Sequence, residues 1–98
     1  MNLKHATILF LMLAVGCHVY AGGDPEAGKA KVTACIGCHG VDGNSAVPIW
    51  PKLAGLGEKY LYQQLMHVKN GERVIPSMTG LLTSSSEQDL QDMAAYYD

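Results

Sequence analysis

The apolar positions form one dense run near the start of the chain and three shorter groups with helical spacing further on. Ala6 to Val15 carries no charge and is broken only by Thr7. Beyond it, Asp24-Pro25-Glu26 is a strong helix start: an acceptor at the N-cap, a pre-set φ at the first helical position, and an acid near the positive end of the dipole. That start predicts a helix from Pro25 to Ala34. A second helix is predicted over Glu58 to Lys69, where Leu61, Leu65 and Val68 recur at i, i+4 and i+7 and Asn70-Gly71 stops the run. A third is predicted over Ser86 to Tyr97, with serines to cap it and Leu90, Met93, Ala94 and Tyr97 on one face. No stretch alternates as a strand does, and no segment repeats. Gly40 to Pro48, extended by Pro51, and Gly71 to Ser84 read as loops. The pattern is all-α, with loops long enough to need something to wrap around.

The chain has 98 residues, and the first 21 read as an export leader: Lys4, then the apolar run, then Val19-Tyr20-Ala21 with small residues where signal peptidase accepts them. Cleavage after Ala21 leaves one domain, residues 22–98, beginning at Gly22. An uncleaved anchor and a lipid on Cys17, in Ala14-Val15-Gly16-Cys17, are the alternatives. All three place the domain outside the cytoplasm, in the periplasm. Seven Lys and Arg stand against nine Asp and Glu, for a formal charge of −2. Such a chain offers no phosphate-binding surface, which argues against nucleic acid as a partner. It is also too short for a multidomain enzyme. A domain this small buries little surface and usually needs a disulfide, a metal or a cofactor. Of its three cysteines, one lies in the leader, leaving Cys35 and Cys38.

Those two belong to Cys35-Ile36-Gly37-Cys38-His39, the C-x-x-C-H sequence of covalent haem attachment. Each thiol adds to one vinyl group of the macrocycle, and two intervening residues let a single turn of chain reach both. The histidine that follows then offers an imidazole nitrogen to the iron. A redox dithiol would need a βαβ frame that the pattern lacks. A zinc site would need a fourth ligand, and His67 stands alone on a helix. A disulfide between the two would close a very small loop and stabilise little.

An electron-transfer haem takes a sixth ligand, commonly methionine. Met66, Met78 and Met93 follow the leader. Met78, in the loop Pro76-Ser77-Met78-Thr79-Gly80, is favoured because a loop can be lifted over the iron. Met93 reads as core and Met66 as packing, and His67 is the competing ligand. Trp50, and beside it Tyr60, Tyr62, Tyr96 and Tyr97, are candidate hydrogen-bond donors to the haem propionates. Ile36, Val41 and Val47 are candidate contact residues at the haem edge.

The chain resembles the class I c-type cytochromes, and more narrowly one haem domain of the c4-type periplasmic cytochromes and their small monohaem relatives. The residues that carry the resemblance are Ala27-Gly28-Lys29-Ala30, the haem motif with Gly40 and Asp42-Gly43-Asn44-Ser45, Pro51-Lys52-Leu53-Ala54-Gly55, Tyr60-Leu61 with Gln64-Leu65, Lys69-Asn70-Gly71-Glu72-Arg73, and Asp92-Met93-Ala94-Ala95-Tyr96-Tyr97. It implies a cytochrome c fold of three to four short helices around one haem c, bound through Cys35 and Cys38. It implies iron ligation by His39 and Met78, a Pro51 carbonyl that accepts the other ring proton of His39, and haem packing by Leu53. Gly28 is expected to cross the last helix near Leu90, Ala94 and Tyr97. The chain departs from the c4 pattern in having one haem motif, and in having Leu81 where a second loop methionine often stands. The function implied is a soluble periplasmic one-electron carrier, not an enzyme and without a small-molecule substrate. Its partners would be transient redox proteins, electron donor and acceptor, membrane respiratory complexes among them. A haem enzyme or gas-binding protein with an open sixth position, and a tightly bound electron-entry subunit, are the competing functions.

Overall fold

The computed structural model describes residues 22–98, and the expected leader lies outside the described residues. Four α-helices and one 3₁₀ turn are connected by loops, with no strand among the described residues. Helix α1 spans Pro25–Lys31, α2 Thr33–His39, α3 Glu58–Asn70 and α4 Glu87–Tyr97, and the 3₁₀ turn covers Pro76–Met78.

Helix α1 starts as predicted, with Asp24 as the N-cap and its Oδ1 accepting from the Glu26 N–H at 3.0 Å. It does not continue to Ala34. The chain pivots at Val32 (φ −94°, ψ 13°), which is wholly buried. A β-branched residue loses little by leaving helical geometry, and here it gains full burial. The Val32 carbonyl still accepts from Cys35 N at 2.8 Å and Ile36 N at 3.2 Å, so α2 follows at once in a new direction. The haem motif thus occupies a helix of its own.

Helix α4 begins with a complete capping box: Asp89 N–H donates to Ser86 Oγ at 3.0 Å and Ser86 N–H to Asp89 Oδ2 at 2.9 Å. Its buried face, Leu90, Met93, Ala94 and Tyr97, joins Val32, Leu61, Leu65 and Leu82 in one core. Helices α1 and α4 cross at Gly28, where a Cβ would stand 1.9 Å from the Asp92 carbonyl oxygen and 3.0 Å from the Tyr96 Cβ. The nearest atoms of α4 thus belong to Asp92 and Tyr96, within the stretch that also carries Leu90, Ala94 and Tyr97, which join the core. Below the crossing lies a buried carboxylate that sequence patterning does not reveal. Asp92 accepts from Asp24 N–H at 2.8 Å, Lys31 Nζ at 2.5 Å and Gln88 Nε2 at 2.9 Å. The Asp24 N–H first, then Lys31 and Gln88, hold its pKa down to about 2.

Candidate functional site

Three stretches of chain converge on the space beneath the core. The first is α2, which ends at Gly40 (φ 87°). A positive φ of this kind suits glycine, and it turns the chain sharply after His39. The second is the segment 50–56. It is pinned by Gly43, whose carbonyl accepts from Leu53 N at 2.8 Å and Ala54 N at 3.1 Å. Gly43 has φ 80°, and a Cβ there would stand 2.6 Å from the Tyr97 ring, so a larger residue would dislodge the pin. The third is the loop after α3, ended by Gly71 in left-handed conformation. Arg73 N–H donates to the His67 carbonyl at 3.0 Å, buried Leu82 anchors the loop, and Lys69 Nζ donates to the Ser85 carbonyl. Met78 closes the 3₁₀ turn, its N–H on the Ile75 carbonyl at 2.9 Å.

Between these stretches lie two adjoining cavities of about 280 and 210 Å³. Cys35, His39, Pro51 and Met78 line both, Leu53 lines the larger, and Cys38 and Trp50 the smaller. The seven residues assigned to haem attachment, ligation and contact, Cys35, Cys38, His39, Trp50, Pro51, Leu53 and Met78, therefore meet at one place. Met66 and His67 line neither; His67 Nε2 lies 3.5 Å from Glu72 Oε2 on the surface. Met93 borders both as a buried core residue.

His39 is 7 % exposed, and its Nδ1 lies 2.7 Å from the Pro51 carbonyl oxygen. A carbonyl can only accept, so the hydrogen bond puts the proton on Nδ1 and leaves the Nε2 lone pair for a metal. No disulfide joins Cys35 and Cys38, so both sulfurs are available for covalent attachment. No group of three or more His, Cys, Asp and Glu side chains among the described residues is arranged to hold a metal ion. A flat, apolar macrocycle fits walls built from Leu53, Leu61, Leu65, Val68, Ile75 and Met93.

The structure gives a place at the cavity to two residues that the resemblance included without a role. Gln64 and Arg73 line the larger cavity and are joined by a 2.7 Å hydrogen bond from Arg73 Nη1 to Gln64 Oε1. Gln64 lies one residue off the apolar stripe of α3, and Arg73 in a loop, so neither carried a periodic signal. Of the tyrosines, Tyr96 is already committed, its hydroxyl donating to the Val41 carbonyl at 2.5 Å. The Tyr97 hydroxyl is buried without a partner among the described residues, and burial pushes its pKa up to about 12. Ile36 packs against the core, whereas Val41 and Val47 stand exposed at 63 % and 46 %, joined by Ile49 at 74 %.

An all-α domain whose C-x-x-C-H helix opens on an apolar slot is the architecture of a c-type haem protein. Residues 25–97 match the family model for cytochrome c, and the chain belongs to the cytochrome c family. Its cofactor is accordingly haem c, bound covalently through Cys35 and Cys38. The chain is 52% identical over 89 residues to cytochrome c4 of Pseudomonas aeruginosa, covering 91% of this chain and 44% of that one. It is 37% identical over 78 residues to cytochrome c-554(548) of Halomonas halodenitrificans, covering 76% of this chain and 94% of that one. The crystal structure of reduced recombinant cytochrome c4 from Pseudomonas stutzeri matches it with a TM-score of 0.74 at 51% identity, over 76% of this chain and 44% of that one. The chain thus spans about half or less of the length of the cytochromes c4 it matches.

Proposed function

We propose that the domain is a one-electron carrier of the periplasm, with His39 and Met78 as the axial ligands of its haem. The observation that carries this reading is the convergence of Cys35, Cys38, His39 and Met78 on one apolar cavity. When bound, haem c supplies the Fe(III)/Fe(II) couple. The work of the polypeptide is to hold that couple in fixed coordination and away from water. Pro51 fixes the orientation of the His39 ring and makes its free nitrogen more basic. The 3₁₀ turn presents the Met78 thioether from a loop anchored at both ends, by Arg73 and by Leu82. A closed sixth position keeps small ligands out, which separates a carrier from a gas-binding or catalytic haem protein. Lys52 and Arg73, the cations that line the larger cavity, suit the carboxylates of the cofactor, and Trp50 offers its indole N–H at the smaller cavity.

Electrons pass to and from partner proteins at the cysteine side. Cys38 is exposed there, and Ser45 Oγ donates to its carbonyl at 3.3 Å, tying the loop of Val41, Val47 and Ile49 to the haem motif. A few exposed apolar side chains make a small interface of the kind that releases quickly. Location in the periplasm follows from the export leader and its cleavage after Ala21; no helix among the described residues is long and apolar enough to cross a membrane. The test is the visible spectrum of the exported ferric protein. Wild type is expected to show the weak red band of iron–thioether ligation, and its reduced form to leave carbon monoxide unbound. Met78→Ala is expected to lose the band, bind carbon monoxide and have a lower potential. A wild-type protein without the band, or an unchanged Met78→Ala spectrum, removes Met78 from the sixth position.

A further inference from the structure

The start of the described chain is held more closely than a terminal segment usually is. Gly23 N–H donates to Glu58 Oε1 at 2.6 Å, and Asp24 N–H to Asp92 Oδ1 at 2.8 Å. Gly22 lies against the same Glu58 carboxylate: a Cβ at position 22 would stand 2.7 Å from Oε1 and 3.2 Å from Oε2. At position 23 a Cβ would stand 1.9 Å from the Gln91 carbonyl oxygen, so the two glycines let the backbone pass between α3 and α4. Glu58 is the first residue of α3 and lines neither haem cavity. Nothing in electron transfer requires it, yet it faces the residue that scission after Ala21 would make the amino terminus.

We propose that Glu58 is the receptor for that new amino terminus. Hydrolysis of the Ala21–Gly22 peptide bond consumes one water, leaves a carboxylate on Ala21 and an α-ammonium on Gly22. The amide nitrogen of the uncleaved chain is neutral and makes no ion pair; the ammonium released beside Glu58 does. Removal of the leader thereby adds a tie between the first residues and α3, next to the one Asp92 makes to α4. The inference rests on cleavage after Ala21 and is independent of the haem ligands.

The charged groups around this point are Asp24 and Glu26 on the segment itself, Glu58 and Lys59 on α3, and Asp89 and Asp92 on α4, with Lys31 of α1 paired to both aspartates. Carboxylates outnumber cations, which favours the charged amine. An α-amino group ordinarily titrates near ~7.7–8.0. Raised in the folded state, it contributes stability that is complete below that ordinary value and lost as pH climbs through the raised one.

The experiment uses the exported holoprotein. Mass spectrometry identifies the first residue, and the pH dependence of α-amine acetylation gives its titration midpoint. Gly22 is expected as the first residue, with a midpoint about half a pH unit above that of Glu58→Gln, the scale of one partly exposed ion pair. The glutamine amide still offers an oxygen to Gly23 N–H, so the variant tests charge alone. A fall of the wild-type midpoint in high salt reads the same pair without any variant. A different first residue overturns the proposal at the cleavage step. A Gly22 start with a midpoint unmoved by Glu58→Gln or by salt overturns the receptor role and leaves the cleavage standing.

Discussion

Gly28→Ala and Gly37→Ala make the same change in two helices, and the structure gives them opposite signs. At Gly28 the added Cβ would stand 1.9 Å from the Asp92 carbonyl oxygen, against 3.4 Å for the closest ordinary contact. The obstacle is backbone, so no side-chain rotation relieves it. Helices α1 and α4 must instead separate by roughly 1 Å, loosening the wholly buried Val32, Leu90 and Ala94. Overpacking of this kind costs ~1–3 kcal/mol, and a backbone obstacle belongs at the upper end. Exchanging glycine for alanine inside a helix returns ~1 kcal/mol. The net is a loss of about 2 kcal/mol, equivalent to a fall in Tm of ~8–16 °C for a domain of this size. At Gly37 a Cβ would meet no protein atom within 4 Å, so the polypeptide opposes nothing to the helix-propensity gain, and Tm should rise by a few degrees. The assay is thermal unfolding of the oxidised holoproteins, followed by circular dichroism in the helical region. A Gly28→Ala protein as stable as wild type would refute the close crossing of α1 on α4.

Two further substitutions probe the interior. Asp92 has a folded-state pKa held down to about 2, so its contribution is present above its ordinary value near ~3.9 and is lost as pH falls through 2. Asp92→Asn should flatten the acid limb of a plot of urea midpoint against pH, with wild type and variant converging near pH 2; parallel curves would contradict the network. Tyr97→Phe deletes a buried hydroxyl that has no partner among the described residues. It should leave stability unchanged or raise it by ~1 kcal/mol, and remove the ultraviolet ionisation step near pH 12; a clear destabilisation in urea would show that the hydroxyl has a partner in the holoprotein.

Much of the architecture was legible because local chemistry and packing agree. The Asp24-Pro25 start, the Ser86 cap and the stripes of α3 and α4 each follow from short-range rules. The haem motif was legible because its spacing is fixed by the dimensions of the cofactor rather than by the fold. The pivot at Val32 was not, since a valine inside a helical run looks the same whether the chain bends there or not; only burial against α4 decides it. Asp92 was hidden for the opposite reason. A carboxylate between Gln91 and Met93 reads as a solvated position until Asp24, Lys31 and Gln88, up to 68 residues away, close around it. Gln64 and Arg73 reach the cavity from outside any apolar stripe, and Glu58 acquires its partner only when the chain start is brought to α3. The register of Gly28 on α4 depends on the crossing angle, which periodicity does not contain.

Intact mass of the exported protein, measured in denaturant after reduction, tests the central claim most directly. The account predicts a mass equal to the polypeptide plus one haem, retained through acid-acetone extraction and lost in Cys35→Ala Cys38→Ala. A wild-type mass equal to the bare polypeptide would contradict it.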